Sequence, residues 1–255
     1  MKTLLTMRAR VLALALITAL PGANTGCNSL KSVQAQPAKN KETLDLGKVT
    51  RKRQIAPVCS DAEWLTRPER DATEQPEKVL DALEIPEGAT VADVGAGVGY
   101  FTWRLARRVG PKGKVIAEDV QQHMLDLLAE NLKQRRITNV EMVLGGVRDP
   151  HLPENAVDLA LLVDVYHEFA EPEAMIHHIR QALKPDGRLV LVEYRKEDPS
   201  IPILPLHKMT VEEVRSEIEP LGFQLQKTLE FLPTQHIIIF TKKPLPSEER
   251  AAASR

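Results

Sequence analysis

Asp93, Gly95, Gly97 and Gly99 stand two apart in the stretch VADVGAGVGYF, residues 91–101. Glycines at such a bend let the chain take φ values that other residues avoid, and let a ligand come close to the backbone. A dinucleotide fingerprint needs its third glycine three positions after the second, where this chain has Tyr100, and no Gly-Lys-Ser/Thr follows to make a phosphate loop. A carboxylate at Asp93 directed toward the bend disfavours a pyrophosphate and suits a cationic or amine-bearing ligand. The bland alternative is that Asp93 caps the following turn. A second group, Asp164, Tyr166, His167 and Glu168, follows an apolar run. There His167 can take a proton near neutral pH, while Asp164 and Tyr166 can orient a substrate. A hydrogen-bonded structural histidine is the competing reading of His167. Glu193 and Tyr194 end a later apolar run. His207 and Lys208 sit in a proline-broken stretch of the kind where binding residues collect, as contacts to an anionic or polar substrate or as part of a solvated loop. Near the amino end, Trp64, Arg67 and Arg70 form a charged, aromatic segment that can fold over a ligand, or in the case of Trp64 simply pack.

The elements that must position these groups alternate. Strand signals fall at 90–96, 114–120, 139–146, 156–166, 187–194, 223–232 and 236–243. Helical stripes lie between them: Val79, Leu80 and Leu83 after Pro76; Phe101, Leu105 and Val109 up to Gly110; Met124, Leu127, Leu128 and Leu132; and residues 174–183. Thr210 and Glu213 form a capping box that opens a further helix. Strands separated by helices indicate a parallel sheet with helices on both faces. Only Pro233–Gln235 separates the last two strands, too little for a crossover, so that pair must run antiparallel. The expected fold is α/β: a Rossmann-like three-layer sandwich with a seven-stranded, mostly parallel sheet and an antiparallel last strand. Ligand sites in such sheets lie beyond the carboxyl ends of the strands.

Asp-x-Gly-x-Gly-x-Gly at the end of a first strand resembles the class I S-adenosylmethionine-dependent methyltransferases, over roughly residues 75–243. The resemblance implies S-adenosyl-L-methionine as cofactor. Asp93, Gly95, Gly97 and Gly99 would wrap its amino-acid part, Asp119 (with Glu118 as the neighbouring alternative) would accept the ribose hydroxyls, and Val120 would lie against adenine. Gly146, Val147, Arg148 and Asp149 occupy the adenine-edge position. Many relatives carry an acid where this chain has Gly146, so the contact passes to Asp149 or to the backbone of Val147 and Arg148. Asp164, Tyr166 and His167 would border the transferred methyl; His207, Lys208, Tyr194 and Trp64 would contact the acceptor. Methyl transfer is an in-line displacement that asks mainly for alignment and electrostatic shaping, with a base only if the nucleophile arrives protonated. The overall look resembles quinone-biosynthesis and arsenite methyltransferases; the three-cysteine signature of the latter is missing, leaving a small-molecule acceptor of another kind. The alternatives are a non-catalytic adenosyl-ligand-binding protein of the cell envelope and a nicotinamide oxidoreductase.

The 255 residues carry a formal net charge of −1, 43% apolar and 27% charged residues, which offers no basic surplus for a nucleic-acid partner. Lys2, Arg8 and Arg10 precede the apolar run VLALALITAL, so residues 1–30 read as a signal peptide or, with Cys27, as a lipoprotein leader. The run is too short for a membrane span, and the mature chain is expected to hold none, a lipid anchor aside. Residues 31–60 read as a polar linker, 61–75 as a lid or cap, 76–243 as the methyltransferase domain and 244–255 as a disordered tail. The expected location is the periplasm or cell envelope, or the cytoplasm if the leader is not used. A Cys27–Cys59 disulfide is compatible with export but not with acylation or removal of Cys27. No Cys-x-x-Cys or His-Glu-x-x-His spacing is present, and His177 and His178 are helix neighbours that point apart, so no metal is expected.

Overall fold

The run VDLALLV can bury both its faces only inside a sheet, and in the computed structural model it does. The structure describes residue 51 and residues 53–243. The leader, the linker up to residue 50 and the tail lie outside the described residues. Strands β1 (Thr90–Val94), β2 (Lys114–Asp119), β3 (Val140–Leu144), β4 (Val157–Val163), β5 (Leu183–Arg195), β6 (Lys208–Met209), β7 (Phe223–Leu229) and β8 (Gln235–Lys242) form one sheet. Its order is β3-β2-β1-β4-β5-β8-β7, with the two-residue β6 pairing parallel to the end of β5. Neighbours from β3 to β5 run parallel, and β8 is antiparallel to both β5 and β7. The mostly parallel sandwich with one reversed strand is the expected one; β6 is the addition.

Alternation along the strands divides the core into layers. Leu159 and Leu161 join Val190, Val192 and Ile239 beneath helices α3 (Pro76–Leu83) and α4 (Thr102–Val109). Ala160 and Leu162 face the opposite way, with Leu191 and Phe240, against α6 (Pro172–Ala182) and α7 (Val211–Ile218). Leu125, Leu128 and Leu132 of α5 (Gln122–Gln134) pack on Ala117 of β2. The capping box at Thr210 is present, both bonds at 3.0 Å. No helix among the described residues is long and apolar enough to cross a membrane.

Three of the boundaries that differ from expectation do so for reasons visible locally. The fourth strand stops at Val163 rather than 166, because Asp164 takes φ +50° and Tyr166–Glu168 coil into a short 3₁₀ turn. The fifth begins at Leu183, so Pro185-Asp186-Gly187 lies within β5, beside a register shift against β4 between Val157 and Leu159. Residues 53–60, read as the end of a linker, are tied to the domain. Arg53 donates to Glu217 at 3.0 Å and to the carbonyl of His167 at 3.1 Å, and the buried Ala56 donates its N–H to that same carbonyl at 3.0 Å. Beyond them, the cap segment forms two short helices, α1 (Ala62–Leu65) and α2 (Arg70–Thr73).

Candidate functional site

Parallel strands deliver their carboxyl ends to one edge of the sheet, and the chain breaks there into loops that face a cavity of about 540 Å³. Residues from the ends of β1, β2, β4 and β5, together with segment 57–74, line it.

At one end, Gly95 and Gly97 line the cavity with φ of +70° and +54°, a region that favours glycine. A Cβ at Gly95 would overlap Val165, so the bend must be side-chain-free to close at all. Asp119 fixes this bend: its carboxylate accepts the N–H of Gly97 and the N–H of Gln121, each at 2.8 Å. Burial raises the Asp119 pKa, and those two donors oppose the rise. Glu118, also on the cavity wall, accepts the Gly95 N–H at 3.3 Å and lies over Gly145, where a Cβ would overlap its carboxylate. Burial, with repulsion from Asp119 second, pushes Glu118 up to about 8. Val120 and Val147 are half-exposed apolar side chains on the same wall.

Several expected members of this end point elsewhere. Asp93 does not line the cavity; it accepts the hydroxyl of Thr102 at 2.6 Å and so ties β1 to the first turn of α4. Burial pushes its carboxyl up to about 6. Gly99 lies beneath the bend, and its missing Cβ makes room for Leu128 of α5. Arg148 pairs with Glu171 at 3.1 Å, and Asp149 accepts the N–H of His151 at 2.7 Å; neither side chain reaches the cavity, whereas Gly146 and Val147 do.

At the other end, Asp164 and His167 line the cavity as expected. Asp164 accepts both its bonds from the amide of Gln235, at 3.0 and 2.8 Å. Burial, then repulsion from Glu74 and Glu193, holds its pKa well above the usual carboxylate range. His167 is 1% exposed, with Nδ1 2.6 Å from Glu193 and Nε2 3.1 Å from Nδ1 of His207. Burial pulls the His167 pKa down, but Glu193, Asp164 and Glu168 outweigh it and leave it raised. Partial burial, and then His167, lower that of His207. Glu168 completes the group: Oε1 lies 3.9 Å from His167 Nε2 and 3.7 Å from His207 Nδ1, and it accepts the N–H of Cys59 at 3.1 Å. Burial pushes Glu168 up to about 7, against the pull of His167. Sequence spacing could not show that a loop 40 residues downstream brings His207 to His167.

Two expected residues of this end are structural. The hydroxyl of Tyr166, fully buried, donates to Glu217 of α7 at 2.9 Å, under the Arg53 guanidinium, and faces away from the cavity. The amine of Lys208 turns inward and donates to the carbonyls of Asp198 and Ile201, at 3.1 and 2.7 Å, which anchors the loop instead of reaching a ligand. Tyr194 and Trp64 do face the cavity. Tyr194 donates to Glu74 at 3.0 Å, and Arg67 donates to both Glu74 and the Tyr194 oxygen, at 2.7 and 3.0 Å. The guanidinium of Arg67 stacks on Trp64 at 3.8 Å, and Arg70 is bonded to Glu74 as well. The cap segment is thus held by one buried acid, Glu74, which the sequence reading did not single out. Nothing in DATEQPE marks it apart from its neighbours.

Comparison with known proteins identifies the family and the fold. A family model described as a methyltransferase domain matches residues 85–231. A SAM-dependent methyltransferase of Aquifex aeolicus shares 30% identity, covering 70% of this chain and 95% of its own, with a TM-score of 0.67. A TehB-like SAM-dependent methyltransferase of Corynebacterium glutamicum, 19% identical with a TM-score of 0.53, covers 71% of this chain and 98% of its own and shares the fold. The ubiquinone/menaquinone biosynthesis C-methyltransferase of Escherichia fergusonii is 30% identical over 118 residues, 46% of this chain and 47% of its own. The chain spans about half the length of the curated relatives it matches.

Proposed function

Because the chain belongs to the class I S-adenosylmethionine-dependent methyltransferases, we propose that it transfers a methyl group from S-adenosyl-L-methionine to a small, largely apolar acceptor carrying an ionisable hydroxyl or thiol. One observation carries the proposal: a single cavity joins the Gly95–Gly97 bend and Asp119 to the His167, Glu168 and His207 group. The chain's own features fit the cofactor. The bend is free of side chains at φ values only glycine takes readily, Asp119 is positioned to accept hydroxyls, and Val120 and Val147 offer apolar surface to a flat ring. When bound, the cofactor supplies an electrophilic methyl group on a sulfonium.

The residues opposite would handle the acceptor. Val163, Val165, Phe169, Met175, Ile203 and Leu204 give that part of the wall an apolar character, which suits a hydrophobic ring and excludes water from the reacting atoms. The curated relatives are by name C-methyltransferases of quinone biosynthesis, and an apolar ring acceptor is in keeping with them. His167 and His207 place two imidazole nitrogens at the acceptor end, where a hydroxyl or thiol must lose its proton before it is methylated. Glu193 fixes the His167 ring and holds the proton of its Nδ1. The leader reading extends the proposal to an enzyme of the periplasm or cell envelope, supported by the basic head and apolar run of residues 1–30; fractionation of cells making the full chain tests it.

Calorimetry with S-adenosyl-L-methionine and with its demethylated product, followed by a methyl-release assay against phenols, thiols and quinols, tests the activity. Cofactor binding with turnover of an apolar hydroxyl or thiol compound is the expected outcome. Binding without turnover on any class would favour the non-catalytic adenosyl-binding alternative, and NADH binding with none of the methyl donor would replace the reading altogether.

A further inference from the structure

Three side chains from two separate segments converge at the acceptor end of the cavity: His167 and Glu168 from the turn after β4, and His207 from the loop before β6. Their facing atoms form a triangle with edges of 3.1, 3.7 and 3.9 Å: His167 Nε2, His207 Nδ1 and Glu168 Oε1. The circle through those atoms has a radius of about 2.1 Å, which matches the 2.0–2.2 Å at which imidazole nitrogens and carboxylate oxygens bind zinc-class cations. We propose that these atoms form a three-ligand site for a divalent first-row transition cation, with its remaining position open to the cavity.

The surroundings have the features such a site needs. His167 Nδ1 faces Glu193 Oε2 at 2.6 Å, which holds the proton on Nδ1 and leaves Nε2 to present its lone pair on the side of His207 Nδ1, 3.1 Å away. Glu193 is 0% exposed and is itself fixed by the N–H of Tyr166 at 3.1 Å. The N–H of Cys59 at 3.1 Å orients the Glu168 carboxylate. The nearby cavity-wall cations do not serve this carboxylate, since Arg67 and Arg70 are both bonded to Glu74. Two imidazoles and one carboxylate suit zinc, iron and cobalt better than magnesium or calcium, which prefer oxygen sets. Three protein ligands with an open position describe a site that handles a substrate, whereas structural sites are closed by a fourth side chain.

The use of the open position rests on the methyl-transfer reading; the binding of the cation does not. There the acceptor's hydroxyl or thiol would become the fourth ligand, its pKa lowered by coordination and its proton released to solvent, so that it meets the methyl group as an anion.

The test uses the full-length chain, stripped with a chelator and dialysed free of it. Zn²⁺ is titrated calorimetrically and Co²⁺ by visible absorption, with circular dichroism and thermal unfolding as fold checks. The expected result is saturable binding of about one equivalent per chain, with Co²⁺ intensities of low coordination number. His207→Ala and Glu168→Gln, folded by both checks, should weaken binding at least about tenfold. Glu193→Gln, which leaves the three ligands in place, should weaken it roughly 10–100-fold through His167. Absence of saturable binding overturns the proposal, as does stoichiometric binding that His207→Ala and Glu168→Gln leave unchanged. S-adenosyl-L-methionine binding, measured on the same stripped protein, separates the two readings: its loss sinks the methyltransferase proposal, while its presence without cation binding sinks this one alone.

Discussion

Replacing Glu118 by Gln should stabilise the ligand-free protein by an amount that grows with pH. Glu118 is 2% exposed and accepts one N–H, from Gly95. Burial and, second, repulsion from Asp119 push its carboxyl from an ordinary 4.5 to about 8. The folded pKa therefore lies above the unfolded one, and as pH rises the unfolded chain gives up the proton first. Stability is complete below about pH 4.5 and is lost progressively up to about pH 8. At 1.36 kcal/mol for each unit of pKa, the full gap is worth roughly 5 kcal/mol, and roughly 3 kcal/mol of that is lost between pH 5 and pH 8. Glutamine keeps the shape over Gly145 and can still accept the Gly95 N–H, but it cannot ionise. Urea unfolding of both proteins at pH 5, 6.5 and 8, without cofactor, reads the difference directly. The advantage of the variant should widen by roughly 3 kcal/mol across that range. An offset that stays constant with pH would refute the reasoning, as would a variant less stable than the parent at pH 8.

Three further outcomes follow from the same geometry. Asp119→Ala removes a charged acceptor at the end of β2, and at 1.5–3 kcal/mol for such bonds its affinity for S-adenosyl-L-methionine should fall roughly 10–100-fold by calorimetry. Gly95→Ala combines a left-handed φ with overlap of Val165, so the melting temperature should drop by the equivalent of roughly 2–4 kcal/mol. Lys208→Met leaves the carbonyls of Asp198 and Ile201 without their donor and should cost about 1–3 kcal/mol in denaturant unfolding while leaving the acceptor KM alone, because the amine never reaches the cavity.

What the sequence made legible was what local pattern controls. The β4 run is apolar on both faces from Leu159 to Val163, with only Asp158 at its start charged, so it had to be internal. The gap at Pro233–Gln235 left room only for an antiparallel return, and β7 and β8 form one. Glycines 95 and 97 announced the cavity because a bend at a strand end is a short-range property. The direction of a side chain at such an end is a different matter. Asp93 and Asp119 both stand near the ends of neighbouring strands, yet Asp93 turns to Thr102, nine residues on, while Asp119 reaches across to Gly97. Tyr166 and Lys208 were read as facing a ligand, and each found a partner that no spacing rule reveals: Glu217 lies 51 residues from Tyr166, and the carbonyls that Lys208 binds belong to its own loop. Gly145 carried an unused signal, since its bare Cα is what lets a buried Glu118 lie at the cavity wall.

The segment read as a linker changes how the cavity is understood. Within a few residues it touches both ends of it. The N–H of Ala56 holds the carbonyl of His167, and the N–H of Cys59 holds the carboxylate of Glu168, both on the acceptor side. The carbonyl of Cys59 accepts the side-chain amide of Gln121 at 2.8 Å, and the backbone N–H of Gln121 is one of the two donors that fix Asp119 on the cofactor side. Arg51 and Arg53 clamp the start of this segment to Glu217, the same acid that holds Tyr166. A displacement of residues 53–60 would therefore loosen the support of Glu168 and of Gln121 together. Position 76, where the sustained helical pattern begins, marks neither the start of the domain's regular structure nor the start of its site, since α1 and α2 precede it and residues of segment 57–74 line the cavity. The wall that joins the two ends of the cavity is supplied by Pro57–Ser60, part of an apolar run too short to carry a period and lost at the end of a longer polar stretch.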